Sequence, residues 1–269
     1  MKTAIVTGAA GGLGQVFCSL LLSRGFHVYG LDLKEPGTRL EGMSFISTDI
    51  TSIEAIEKAR TLIAQETEGI DVLVNNAGIQ HFDSLIEADM RMLKKAVDVN
   101  LVGAMLITRS FADMVLKARG RIIITSSEIG YHQAQPFHSL YSITKRALDA
   151  YADSLRRELG CLGIKVIKLQ PGGLRTGLIG DSLRSYDEII NRTTHYRRPL
   201  ERMRRFVVHN LERSVDPKAM SKVLSKALFS SHPSGRYRFR NLLVLNALDV
   251  LGERGADLAF KVFLGKGVI

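Results

Sequence analysis

The chain has 269 residues, 45% apolar and 24% charged, enough to fill the core of a single α/β domain. Its two cysteines, Cys18 and Cys161, are far apart and fit neither a disulfide framework nor a metal knuckle. No His/Cys/Asp cluster has metal-ligand spacing, and no run of 18 apolar residues offers a membrane span, so neither a metal nor a transmembrane anchor is expected.

Formal charge is +10, from 37 basic and 27 acidic residues. No recognition motif accompanies that charge, so nucleic acid is not an expected partner. Met1 and Lys2 directly precede the first apolar run, which leads us to expect a cytoplasmic protein.

That run, Ala4-Ile5-Val6, enters the glycine-rich turn Thr7-Gly8-Ala9-Ala10-Gly11-Gly12-Leu13-Gly14, and a helical pattern follows through Val16, Phe17 and Leu20 to Leu22. Glycines let the backbone approach a ligand, and a helix opening near Leu13 presents unpaired N–H groups to a pyrophosphate. A second strand, Val28 to Leu31, ends in Asp32, 18 residues beyond Gly14. This completes a βαβ unit whose carboxylate is spaced to accept hydrogen bonds from a ribose. The 2′-phosphate of NADP would meet that carboxylate with no cation inside the turn to offset it, so the reading is NAD over NADP, with Lys34 as the residue that would favour the phosphate.

Met43 to Ser47 alternates as a third strand, after which Asp49 and Ile50 are placed to meet an adenine edge and Ser52 caps a helix. Val72-Leu73-Val74 is a fourth strand and ends in Asn75-Asn76-Ala77-Gly78, a tight reversal with backbone groups turned towards the same ligand. A long helical stretch from Leu93 to Leu116 carries Asn100 on its apolar face, where an amide must find partners. Arg121 to Thr125 is a fifth strand running into Ser126-Ser127, and Tyr141 and Lys145 share a face of the next helix. An isolated tyrosine titrates near pH ~10, but an ammonium one turn away favours its phenolate and makes it usable in proton transfer. Ser127 would then polarise the reacting oxygen.

Together, Thr7-Gly8-x-x-x-Gly12-x-Gly14, Asn75-Asn76-Ala77-Gly78, Asn100, Ser127, Tyr141-x-x-x-Lys145 and Pro171-Gly172-x-x-x-Thr176 make the chain resemble the short-chain dehydrogenase/reductase family in its compact branch. The resemblance implies a Rossmann-like, doubly wound parallel sheet of about seven strands in a three-layer α/β/α domain. It implies a nicotinamide dinucleotide bound by Gly8, Gly12, Leu13, Gly14, Asp32, Asp49, Ile50, Asn76, Ala77, Gly78, Tyr141, Lys145, Pro171, Gly172 and Thr176. Tyr141 would be the general acid/base, Lys145 would lower its pKa and bind the nicotinamide ribose, Ser127 would orient substrate, and Asn100 would hold a water linking Lys145 to solvent. Thr176, after a sixth strand from Ile164 to Leu169, would contact the carboxamide. The chain departs from the family in having thirteen residues between Ser127 and Tyr141, one more than is usual, which leaves Ser126 as a rival for the serine.

Residues 1–240 form the cofactor domain on this reading, with a substrate lid over 177–215, and 241–269 form an apolar tail of the same domain. The lid carries Arg184, Arg192, Arg197, Arg198, Arg202, Arg204, Arg205 and Arg213 against Asp187, Glu188, Glu201 and Glu212. Either it is a solvated helix or it attracts an anionic group on the substrate. His132 and His138 read as surface residues rather than substrate contacts, and Cys18 and Cys161 as buried thiols. The tail reads as subunit packing in a homodimer or homotetramer; contact with a membrane surface through Lys261 and Lys266 is the less favoured use. The resulting expectation is a hydride transfer between NAD and a hydrophobic or amphipathic secondary alcohol, such as a hydroxysteroid or 3-hydroxyacyl compound. The alternatives are a sugar or polyol substrate, or a cofactor sensor without turnover.

Overall fold

The computed structural model describes residues 1–37 and 40–265. Seven strands form a single parallel sheet: β1 (Lys2–Thr7), β2 (Phe26–Asp32), β3 (Met43–Ser47), β4 (Val72–Asn75), β5 (Arg121–Thr125), β6 (Lys165–Pro171) and β7 (Arg236–Phe239). Their order across the sheet is β3-β2-β1-β4-β5-β6-β7. The central strands are apolar on both faces because helices cover both, as βαβ crossovers require. The order in which strands are added reverses between β1 and β4, and that switch point opens the cleft at the carboxyl ends of the strands.

On one face, α1 (Gly12–Leu22) and α8 (Ser221–Phe229) bury Phe17, Leu21 and Leu224 against Val6, Val74 and Ile123. The other face is covered by α2 (Ile53–Ala64), capped by Ser52 as expected, by α4 (Gly103–Lys117), and by α5 (Ser139–Gly160). These bring Ile56, Ile107, Phe111 and Leu148 onto Ile5, Leu73 and Ile122. Just before α4, α3 (Met90–Val97) and a π-turn (Asp98–Val102) belong to one continuous helical stretch, Met90–Lys117. That stretch is long and apolar enough to cross a membrane by composition alone, yet Ile107, Phe111, Met114 and Val115 are in the sheet-facing core. β6 runs two residues further than the sequence pattern indicates, through Gln170 and Pro171, because β7 pairs beside it up to Phe239.

The lid is a helical hairpin, α6 (Leu178–Arg192) and α7 (Arg197–Glu212). Tyr186, Ile189, Leu200, Met203 and Val207 pack with Phe82 and Phe137 in a satellite core of their own. The apolar tail is a helix, α9 (Leu243–Leu264), kinked at Gly252, whose φ of +66° is left-handed. Lys266 lies outside the described residues. Cys18 is buried as read, but Cys161 is exposed because it caps the end of α5.

Candidate active site

The glycine turn is dictated by contact as well as by conformation. At Gly8 φ is +66°, and a Cβ there would lie 2.8 Å from Ala77 Cα; at Gly14 it would lie 2.0 Å from Gly8 O. A Cβ on Gly12 would sit 3.2 Å from Thr176 Cγ2, so the loop after β6 approaches the turn from above. Gly11 precedes α1 without a capping side chain, and no acid occupies the first turn of the helix. Uncapped N–H groups and the positive end of the helix dipole therefore face the cleft, which suits a pyrophosphate.

Asp32 ends β2 and is held by Ala10 N–H at 2.9 Å and Leu33 N–H at 2.8 Å, tying the carboxylate to the glycine turn. Asp49 spends one oxygen on Thr51, accepting from its N–H at 2.8 Å and from its hydroxyl at 2.7 Å. Ile50 is buried and fills the space that a Cβ on Gly103 would need, 2.7 Å from its Cδ1. The double-asparagine turn is fastened to β1 by Thr7, a residue the sequence reading left without a role of its own. Its hydroxyl accepts from Asn76 N–H at 3.0 Å and Ala77 N–H at 3.1 Å, while Asn76 Nδ2 donates to Thr7 O and Gly8 O at 3.3 Å.

Ser127, Tyr141 and Lys145 line the same cleft as Gly8, Gly12, Leu13, Asn76, Ala77 and Gly78, and Pro171, Gly172 and Thr176 close it from above. Gly172 is fixed by contact, since a Cβ there would lie 2.3 Å from Arg240 O. The cleft holds about 280 Å³. Lys145 donates to Thr125 O at 3.0 Å, and its ammonium lies 5.6 Å from the centre of the Tyr141 ring. Ser126 turns its hydroxyl back onto Lys145 O at 3.2 Å, whereas Ser127 hydrogen-bonds Tyr141. The extra loop residue therefore does not displace the serine.

One sequence expectation is corrected here. Tyr141 is not held towards its phenolate: burial pushes it up to about 12, Ser127 pulls it down and Glu128 pushes it up. Burial also lowers Lys145 to about 8, against the attraction of Asp149. Desolvation by burial is the largest influence on the phenol. Asn100, in the π-turn, spends its side-chain amide on protein partners. Its Nδ2 donates to Ile79 O at 2.9 Å and Thr144 Oγ1 at 3.1 Å, and its Oδ1 accepts from Ile79 N–H at 2.7 Å. It braces the β4 turn against α5, as its lone amide on an apolar face first indicated.

The opposite wall is apolar, built from Phe82, Ile129, Phe206, Val207, Leu211 and Leu245. None of the lid arginines lines it among the described residues. Arg192 pairs with Asp83, Arg204 donates to Asp187 at 2.7 Å, and Arg202 donates to Phe263 O at 3.0 Å. His132 and His138 are not surface residues: they are 0% and 5% exposed. His138 stacks on Phe82 with ring centres 4.0 Å apart, and burial pushes it down to about 3, so it is neutral. Glu128, between Ser127 and the apolar wall, is pushed up to about 7 by burial, opposed by hydrogen bonds from Leu242 and Asn241. Sequence reasoning missed Glu128 and Leu245; a carboxylate directly after the active serine was the one available signal.

The family model for short chain dehydrogenases matches residues 2–186. Retinol dehydrogenase 16 of Homo sapiens is 30% identical over 264 residues, covering 88% of this chain and 80% of the relative. Estradiol 17-beta-dehydrogenase 2 of Rattus norvegicus is 31% identical over 70% of this chain, but the match spans only 52% of that protein. Among solved structures, the NADH complex of 3-ketoacyl-(acyl-carrier-protein) reductase from Brucella melitensis superposes with a TM-score of 0.72 at 20% identity, over 89% of this chain and 96% of that one. The chain therefore belongs to the short-chain dehydrogenase/reductase family and is a dehydrogenase or reductase acting on CH–OH groups.

Proposed function

We propose that the protein interconverts a hydrophobic or amphipathic secondary alcohol and its ketone, with NAD(H) as the hydride partner. The observation that carries this reading is the convergence of Ser127, Tyr141 and Lys145 with the glycine turn on one cleft whose far wall is apolar. When bound, the cofactor supplies or accepts the hydride at its nicotinamide ring. The backbone N–H groups of Gly12, Leu13 and Gly14 would hold the pyrophosphate, Asp32 the adenosine ribose, Asp49 and Ile50 the adenine edge, and Thr176 the carboxamide. The Asp32 carboxylate at the end of β2 favours NAD, since a 2′-phosphate would meet like charge.

Ser127 holds the substrate oxygen while Tyr141 takes its proton in oxidation or returns it in reduction. In the free protein burial favours the protonated phenol, so proton transfer would need the nearby Lys145 ammonium and a bound oxidised cofactor to offset that burial. Asn100 keeps the turn that carries Gly78 in place beside Lys145. The same reading gives a cytoplasmic homo-oligomer that covers the exposed outer side chains of α9, among them Val250 at 87% and Val262 at 73%, with a second copy.

The test is the absorbance of reduced nicotinamide with NAD and NADP separately, across hydroxysteroids, 3-hydroxyacyl compounds and polyols. Turnover with NAD on the first two groups is the expected result. Activity confined to polyols would overturn the substrate class, and activity confined to NADP would overturn the cofactor assignment.

A further inference from the structure

The C-terminal helix is fastened to the loop after Ser127 at two points. At the first, Leu242 N–H donates to Glu128 Oε2 at 2.7 Å, and the Asn241 side chain bonds the same carboxylate. At the second, His132 Nδ1 lies 2.6 Å from Asp249 Oδ2, and Gln133 N–H donates to Asp249 Oδ1 at 2.9 Å. A carboxylate only accepts, so Nδ1 carries the proton in this contact. Arg146 on α5 holds the loop from its other side through Gly130 O at 3.3 Å and His132 O at 2.8 Å.

Between the two fastenings, Leu245 is 2% exposed and lines the cleft together with Leu242. Beyond Gly252 the helix leaves the loop and packs on the lid, where Phe263 meets Phe206 at 6.0 Å between ring centres. A Cβ on Gly252 would meet nothing within 4 Å, so close packing does not account for the kink. The two halves of α9 therefore serve different neighbours. Using two carboxylates, each accepting a main-chain N–H, to seat one turn of apolar wall fixes that wall's distance from Ser127.

We propose that residues 242–251 are the substrate-binding wall of the cleft, and that Glu128 and the His132–Asp249 pair are positioning residues that hold it against the catalytic loop. This rests on the reading of the cleft as a secondary-alcohol site given above. The substrate this wall fits carries an uncharged apolar arm several carbons long, running from the Ser127–Tyr141 pair towards Leu245. An anionic arm would meet the Glu128 carboxylate in the same space, with no arginine on the lining among the described residues to offset it.

The experiment uses the full-length protein, NAD and a ladder of 2-alkanols from 2-butanol to 2-decanol, with Asp249→Asn and His132→Phe beside the wild type. Each methylene buried against the wall is worth up to about fourfold. In the wild type kcat/KM is expected to climb by up to that factor per carbon. Asp249→Asn is expected to flatten the climb through KM, by about tenfold at 2-decanol, while kcat on 2-butanol changes by less than about threefold. An unchanged slope in both variants would overturn the proposal.

Amide hydrogen exchange of the same proteins reads the fastening without turnover. Faster exchange over 243–251 and over 128–138 together in Asp249→Asn is the expected result, and unchanged exchange overturns the proposal whatever the kinetics. If exchange accelerates but the wild type oxidises no 2-alkanol, the fastening stands and it is the alcohol reading that falls.

Discussion

The two sides of the cleft are built by different physics. On the cofactor side, position is set by backbone: Gly8, Gly14 and Gly172 stand where a Cβ would strike main-chain atoms at 2.8, 2.0 and 2.3 Å, and Thr7 ties two strand ends together through main-chain N–H groups. On the substrate side, position is set by side chains that reach across 114 to 117 residues of sequence, Glu128 to Leu242 and His132 to Asp249. The first construction tolerates almost no substitution and serves one ligand. The second can exchange its apolar residues while keeping its fastenings, and so can be fitted to different alcohols.

Substitutions should separate the two sides in graded steps. Gly14→Val forces side-chain atoms into Gly8 O and is expected to cost about 3 kcal/mol, seen as a Tm lower by about 6–12 °C with cofactor binding lost. A variant that melts with the wild type would show that the turn yields more easily than its contacts indicate. Next in size, Asp32→Ala removes the charge that opposes a 2′-phosphate. The ratio of kcat/KM for NAD over NADP is expected to fall about tenfold or more, each ~1.4 kcal/mol being a factor of ten. An unchanged ratio would place the cofactor choice elsewhere, with Lys34 the first candidate.

Smaller, and confined to the substrate side, is the effect of Glu128. Its pKa in the folded protein, about 7, lies above the ordinary 4.5, so the folded state binds this proton more tightly than the unfolded chain does. Stability from this group is therefore full below about pH 4.5, falls as pH rises towards 7, and stays low above it. Glu128→Gln removes that fall. Relative to the wild type, the variant should gain about 1–3 kcal/mol between pH 5 and pH 8, measured by urea unfolding at both values. Parallel loss in both proteins would mean that the carboxylate is solvated well enough to ionise freely.

The same division explains what could be read in the sequence. Strands β1 to β5, the glycine turn, Asp32, the Asn75–Gly78 reversal and the Tyr141–Lys145 helix face were legible, because local periodicity and short spacings encode them. Asn100 was legible as a buried amide in need of partners, and its bonds to Ile79 and Thr144 supply them. The direction of the Tyr141 shift was misread because helical spacing shows that Lys145 is near, but not that burial outweighs it.

Sequence alone gave no access to His132, Asp249 or Leu245. His132 was read as a surface histidine and Asp249 carried no signal of its own; only the return of the chain from 242 to 249 over the Ser127 loop gives each its partner. The arginines of the lid were left between a solvated helix and an anion-binding surface; Arg192, Arg202 and Arg204 bind protein groups, and among the described residues the cleft lining holds no arginine.

The most direct test of the account compares wild type and Tyr141→Phe in one titration: NADH binding followed by its fluorescence, then turnover of the best alcohol at the same cofactor concentration. If the two sides of the cleft are built independently, the NADH dissociation constant stays within about twofold while kcat falls by about 10²–10⁴, the range set by loss of a general acid/base. Retained turnover in Tyr141→Phe would contradict the assignment of proton transfer to this residue. Loss of NADH binding along with turnover would contradict the separation of the cofactor side from the chemistry.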